Sequence, residues 1–235
     1  MRLDAYVARF GIQTRNGAKK MIRNGHVTIN QTIVKDPSTI VHVEVDLIAV
    51  NNEKILYKPT FTVMMNKRAG VVSARKDSYH PTVFDDINPN HRYESLKIAG
   101  RLDKDTEGLI ILSTDGDLIH QLTHPKKDVL KTYLVVCDQP IDSVDPLLEP
   151  LMLLDGKKET YTPAKPVIIS HQKDTVVLAI SEGKFHQVKR MFQAIGHTVI
   201  FLKRLAIHTL TLDPNLKPGA YRELTSSEID LLIKK

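Results

Sequence analysis

The stretch PVIISHQKDTVVLAIS, residues 166–181, holds two apolar runs, PVIIS (166–170) and TVVLAIS (175–181), parted only by HQKD. Both runs are rich in β-branched residues and have the length of strands. No helix fits between them, so two consecutive strands are expected. TVMMN (62–66), GLIILST (108–114), KTYLVVCD (131–138) and TVIFLKRLAI (198–207) read the same way. Helices are expected over 117–124, 142–153, 184–195 and 226–234, the last opening on a capping box of Thr225 and Glu228. Strands that follow one another without intervening helices favour an α+β domain with a largely antiparallel sheet over a doubly wound parallel one.

The first 57 residues read as a separate, smaller α/β unit. Leu3, Tyr6, Val7 and Phe10 fall at helical spacing before Gly11, a helix stop. Thr14 can cap a second helix with Ala18, Met21 and Ile22 on its apolar face and Gly25 at its end. HVTI and TIVK then form two short strands around Asn30-Gln31, and IVHVEVDLIAV (40–50) supplies further strand structure. Asn51 to Pro59 reads as a polar linker. The expected domains are therefore 1–57 and 58–235.

Charge singles out the first segment of this unit. The chain carries 33 Lys+Arg against 27 Asp+Glu, a net charge of +6. Residues 1–35 hold seven basic residues (Arg2, Arg9, Arg15, Lys19, Lys20, Arg23, Lys35) and one acid, Asp4, so the whole surplus lies there and the rest of the chain balances. Arg15, Lys19 and Arg23 are four apart on the second helix and form one ridge. Like charges at that spacing disfavour a helix unless an anion neutralises them, which points to phosphate contact. A solvated helix face is the plain alternative.

Other classes are disfavoured by the sequence. At 235 residues, 42% hydrophobic and 26% charged, the chain can bury a core without staples. Cys137 is the single cysteine, so no internal disulfide and no cysteine cluster for zinc is available. Apolar runs fall far short of a membrane span. Asp4 and Arg9 interrupt the first residues where a secretory signal needs an apolar run, so a cytoplasmic protein is expected. No P-loop, G-x-G-x-x-G or G-x-S-x-G occurs. HQLTH (120–124) has Gln121 where a zinc protease carries its Glu. Asp103, Asp105, Glu107 and Gly108 fit the start of a calcium loop, but Thr114 stands where the bidentate Glu belongs.

What remains is a dense acidic stretch, GRLDKDTEGLIILSTDGD (100–117), and a second basic cluster, EGKFHQVKRM (182–191). Read by pattern alone, Asp103 is better explained by a cap or a solvated turn than by catalysis. In the second cluster Val188, Met191, Phe192 and Ile195 are the expected core face.

GRLDKDTEGLIILSTDG closely resembles the signature of the RsuA-type pseudouridine synthases, bacterial enzymes that modify ribosomal RNA. LKTYLV (130–135), EGKFHQVKRMFQAIGH (182–197) and LKPGAYRELTSSEI (216–229) carry the likeness further, and MNKRAGVVSARKDSYHPTV (65–83) resembles the first segment of that family's catalytic domain. MRLDAYVARFG resembles the S-four-type RNA-binding module. Together these cover nearly the whole chain. One departure is Arg68, where the family usually has proline after Asn-Lys.

The resemblance implies a largely antiparallel mixed-sheet catalytic domain behind the RNA-binding module, and the conversion of a uridine in ribosomal RNA to its carbon-linked isomer with no cofactor and no metal. It implies Asp103 as nucleophile, or as base in an elimination route, and Tyr133 as a ring that stacks on the displaced base and handles a proton. Lys189 is the implied cation that keeps Asp103 ionised and aligned; Arg190 is the neighbour that could take that place. Two unit charges at ~4 Å attract by roughly 4 kcal/mol at an effective dielectric of ~20. Arg101 could fill the gap left by the flipped base. Arg2, Arg15, Lys19, Lys20, Arg23, Arg101 and Arg190 are the expected RNA contacts. The expected partner is ribosomal RNA or a pre-ribosomal small subunit, with monomer as the default state and no membrane involved. The small-subunit (16S) branch fits the compact length best; a large-subunit enzyme, a non-catalytic assembly factor and a metal-dependent nuclease are the rivals.

Overall fold

The computed structural model describes residues 1–10, 14–55, 60–89, 95–154 and 159–233. The chain divides into two compact units, Met1–Phe61 with Ile87–Lys97, and Thr62–Asp86 with Ile98–Lys235.

In the first unit α1 (Leu3–Phe10) and α2 (Arg15–Arg23) are followed by β1 (Val27–Ile29), β2 (Thr32–Ile33), β3 (Ile48–Val50) and β4 (Glu53–Ile55). Leu3, Tyr6 and Val7 of α1 and Ala18 and Ile22 of α2 are buried with Val27, Val41 and Ile48, so the helical spacing does define the core face. Thr14 caps α2, its side chain accepting from the Gly17 amide at 3.2 Å. The four strands form an antiparallel sheet in the order β2-β1-β3-β4. Asn30-Gln31 and Asn51-Asn52 turn its two hairpins with all four φ angles positive, a conformation Asn tolerates better than most residues. The expected stop at Gly11 lies outside the described residues.

Two expectations fail here. IVHVEVDLIAV is a strand only over its last three residues, because the Asp46 carboxylate accepts the His42 amide at 2.7 Å and turns the chain over 42–46. Asn51 to Ile55 is not linker but the turn and strand β4, paired with β3. The expected boundary between residues 57 and 58 lies outside the described residues.

The second unit runs β5 (Thr62–Lys67), β6 (Lys97–Ala99), β7 (Glu107–Ser113), α3 (Gly116–Thr123), β8 (Lys131–Cys137), β9 (Leu153–Leu154), β10 (Thr160–Tyr161), β11 (Val167–Gln172), β12 (Thr175–Ile180), α4 (Gln187–Ala194), β13 (Val199–Ile207), β14 (Leu210–Thr211), β15 (Tyr221–Glu223) and α5 (Ser226–Ile233). Among the described residues the main sheet has the order β11-β12-β8-β13-β7-β5-β15, with β14 on β13 and β6 on β7. Pairing along that path is antiparallel except where β13 meets β7. The α+β reading with a largely antiparallel sheet is therefore correct. β5 and β7 are buried on both faces and accordingly carry continuous apolar runs. One face packs Met64, Leu109 and Ile111 against Leu118 and Leu122 of α3 and Leu232 of α5. The α5 capping box forms as expected: Thr225 Oγ1 accepts the Glu228 amide at 3.3 Å and the Glu228 carboxylate accepts the Thr225 amide at 2.9 Å.

The helix expected over 142–153 is absent. Asp145–Leu148 makes one 3-10 turn, and Leu153–Leu154 is a strand. Pro146 sits at the start of that turn, and Pro150 lacks the amide and the space an α-helix needs there.

Candidate active site

Asp103 lies in the segment between β6 and β7. Gly100 opens that segment at φ +80°, and the Thr106 amide bonds back to the Asp103 carbonyl at 3.1 Å, closing a turn. The turn is gripped from the end of β5. Lys67 is fully buried, and its ammonium donates to the carbonyls of Asp103 (2.9 Å), Thr106 (2.7 Å), Lys104 (3.3 Å) and Arg68 (3.2 Å). Ser73 adds a reciprocal pair with Leu102, its hydroxyl donating to the carbonyl at 2.7 Å and accepting the amide at 3.0 Å. Burial pulls the Lys67 ammonium down to about 8; the negative charges of Asp105, Asp103 and Glu107 oppose this. Neither Lys67 nor Ser73 was singled out from the sequence. The signal available was a lysine closing the apolar run TVMM, at a position that a solvated charge does not occupy.

Gly108 places this turn against β13. Its φ is +101°, and a Cβ there would stand 2.2 Å from the Arg204 backbone oxygen. Only glycine lets the two strands approach in the parallel register Lys203↔Glu107 and Arg204↔Gly108. The buried Arg204 donates through Nε to the Leu109 carbonyl at 2.7 Å. Across the β8–β13 pair Arg204 stands opposite Tyr133, so the sheet carries Tyr133 to the Asp103 turn.

A cleft is lined by Arg101, Leu102, Asp103, Thr106, Tyr133, Ile180, Lys184, His186, Gln187 and Val188. Of the residues singled out from the sequence, Asp103, Tyr133 and Arg101 meet here. Lys189 of α4 reaches Asp103 at 3.6 Å and Asp105 at 2.5 Å, so one ammonium serves two carboxylates. Burial works to raise the Asp105 carboxyl, but the hydrogen bond and charge of Lys189 outweigh it and hold it below its ordinary value. Arg190 points elsewhere: its guanidinium lies 4.9 Å from the Phe185 ring centre and donates to the Leu154 carbonyl. The cation beside Asp103 is thus Lys189. His186, part of the second basic cluster and given no role from the sequence, faces Asp103 with Nε2 3.6 Å from Oδ1.

Arg68, standing where proline was expected, forms a bidentate pair with Asp86 at 2.9–3.3 Å. It stiffens the start of the segment by a charge pair in place of a ring. In the first unit Asp4 is fully buried, with Arg2 at 3.2 Å and Arg15 at 3.6 Å. Burial acts to raise its carboxyl, and the Arg2 hydrogen bond and the two cations bring it below its ordinary value. Lys20 and Arg23 are exposed and Lys19 half-buried on the same helix. His120 and His124 lie with ring centres 4.8 Å apart. Among the described residues no group of three or more His, Cys, Asp or Glu is arranged to hold a metal ion. No helix among them is long and apolar enough to cross a membrane.

Comparison with known proteins adds to this geometry. The family described as RNA pseudouridylate synthase matches residues 61–194, and the S4 domain matches residues 1–47. An uncharacterized RNA pseudouridine synthase of Bacillus subtilis, YtzG, is 42% identical over 99% of this chain and 98% of its own length. Ribosomal small subunit pseudouridine synthase A of Haemophilus influenzae is 40% identical over the whole of both chains. A crystal structure of a pseudouridylate synthase aligns with TM-score 0.66 and 39% identity, covering 99% of this chain and all of that one. The chain belongs to the RNA pseudouridine synthase family, a family of isomerases, and begins with an S4 domain.

Proposed function

We infer that this chain isomerises a uridine of ribosomal RNA to pseudouridine, and that the RNA is the 16S species of the small subunit. The observation that carries the reading is the meeting of Asp103 and Tyr133 at one cleft, with the Lys189 ammonium 3.6 Å from the Asp103 carboxylate. RNA phosphates repel a carboxylate, so binding alone gives no reason to set one in a cleft and fix it with a cation. Isomerisation does give one. Asp103 acts at the sugar as nucleophile or base, Lys189 holds its charge in position, and Tyr133 stacks on the detached uracil. No cofactor is needed, because the product has the same atoms and oxidation state as the substrate. Several full-length relatives, among them that of Haemophilus influenzae, are named for the ribosomal small subunit, which favours the 16S substrate.

The S4 domain supplies the grip on RNA through Lys19, Lys20 and Arg23, with Arg2 and Arg15 shared between phosphate and the buried Asp4. Arg101, exposed at the cleft, is suited to the place vacated by an extruded base. Such a substrate puts the enzyme in the cytoplasm with the ribosome. The test is tritium release from 16S RNA and from small-subunit particles labelled at uridine C5. The wild type is expected to release tritium and Asp103→Asn none. Equal release by both removes Asp103 from the reaction, and release from 23S RNA alone reassigns the substrate.

A further inference from the structure

Rejoining uracil to ribose through carbon obliges the ring to lose a proton from C5 and gain one on N1. We propose that His186 is the group that removes the C5 proton, an inference that rests on the isomerase reading above. The step balances as follows. The N1–C1′ bond breaks and the C5–C1′ bond forms, leaving C5 with both hydrogen and sugar carbon and a double bond between N1 and C6. The Nε2 lone pair takes the C5 hydrogen as a proton. The C–H electron pair becomes the C5=C6 bond, the N1=C6 pair withdraws onto N1, and N1 accepts a proton from the imidazolium or from water. Overall no atom, electron or proton is gained or lost, so no co-reactant is required.

The geometry points to His186 by position and by elimination. Nε2 stands 3.6 Å from Asp103 Oδ1, on the same cleft as Tyr133. A base held beside that carboxylate lies within reach of a uracil whose sugar Asp103 engages. The imidazole is stacked on Phe185 with ring centres 3.8 Å apart and planes 20° apart, which fixes the direction of its nitrogens. The backbone at His186 is left-handed, φ 51° and ψ 30°, where glycine or asparagine is less strained, and the side chain makes no capping bond to α4. His186 thus stands in a turn closed by the Gln187 amide on the Lys184 carbonyl at 3.1 Å, and its ring, not used as a cap, faces Asp103 and the cleft. The charged and titratable groups around it are Asp103, Asp105, Lys189, Lys184, Arg101, Tyr133 and, beyond Phe185, Arg190. Asp103 is committed to the sugar and Asp105 is bound to Lys189. Ammonium and guanidinium groups carry no free lone pair. A phenol is a poor proton acceptor near neutrality, where imidazole is suited to both gaining and losing a proton.

The experiment is single-turnover conversion of ribosomal RNA carrying uridine or [5-²H]uridine, with wild type, His186→Ala and His186→Asn. Asparagine tolerates the left-handed backbone and offers no basic nitrogen. Both variants are expected to be slowed about 100-fold and to show a several-fold larger deuterium effect than the wild type, because loss of the C5 proton becomes limiting. Added imidazole is expected to restore His186→Ala in proportion to its concentration. If His186→Ala does not fold, the isotope effect in His186→Asn decides alone. Wild-type rates in either variant, or slowing with an unchanged isotope effect and no rescue, overturn the proposal while leaving the isomerase reading intact. A wild type that converts no uridine overturns that reading, and this inference with it.

Discussion

Lys67 has no contact with the cleft, yet the backbone that presents Asp103 hangs on its ammonium. It satisfies carbonyls of three residues in the turn from Asp103 to Thr106, its long stem and three converging N–H donors reaching them from the end of β5. Lys67→Met leaves those acceptors without a donor, and a loss of about 3 kcal/mol is expected by urea unfolding, with tritium release falling as the turn loosens. The linkage has a definite sign. Burial lowers the folded-state pKa from 10.5 to about 8, so between those values the unfolded chain holds more protons. Raising pH through that window therefore favours the folded state, and the cost of burying the ammonium is fully felt only below about 8. The stability difference between wild type and Lys67→Met is expected to widen from pH 8 to 10; a constant difference rejects the shift. This residue was illegible beforehand because it acts through backbone atoms 36 or more residues away, which leave no side-chain pattern. For Asp103, Tyr133 and Lys189, the residues proposed for the chemistry, the motif was the one signal in the sequence. Spacing alone does not tell that 30 residues separate the first two while a sheet joins them.

At the scale of elements, legibility followed length and chemistry. β5, β7, β8, β12 and β13 were readable because each is an apolar, β-branched run of six to nine residues. β9, β10 and β14, at two residues each, are too short to show a period. The false helix over 142–153 came from a leucine-rich spacing that Pro150 overrides, and the false strand over 40–47 from an alternation that the Asp46 carboxylate breaks. The parallel contact of β13 with β7 was equally hidden, since it depends on what one glycine lacks. Gly108→Ala tests that contact. The new Cβ meets the Arg204 backbone, which cannot swing aside as a side chain can, and φ at +101° adds strain. A loss of about 3 kcal/mol or more is expected in unfolding experiments. Activity should fall further than stability alone explains, because the same register sets Tyr133 beside the Asp103 turn. Gly116→Ala, in the first turn of α3 with open space around it, is the control and should be neutral or slightly stabilising.

For the molecule as a whole, the uneven charge becomes a statement about labour. All of the net +6 can be assigned to residues 1–35, and the rest of the chain is balanced. With the densest surplus placed at residues 1–35, affinity and turnover should respond to different parts of the chain. The internal pairs refine the count. Arg2 and Arg15 each neutralise part of Asp4, while Lys19, Lys20 and Arg23 have no ion-pair partner among the described residues. If about five phosphates are engaged, log K for ribosomal RNA falls against log[salt] with a slope of about −4, between the duplex and single-strand limits. Neutralising Lys19 and Arg23 together, as Lys19→Gln with Arg23→Gln, should flatten the slope by about 1.5. It should weaken binding at low salt far more than at high salt, and leave the single-turnover rate at saturating enzyme unchanged. Asp103→Asn should do the reverse, abolishing turnover while keeping the full slope. A double variant that keeps the wild-type slope denies these helix cations their phosphates. One that loses the single-turnover rate at saturation denies the separation of grip from chemistry.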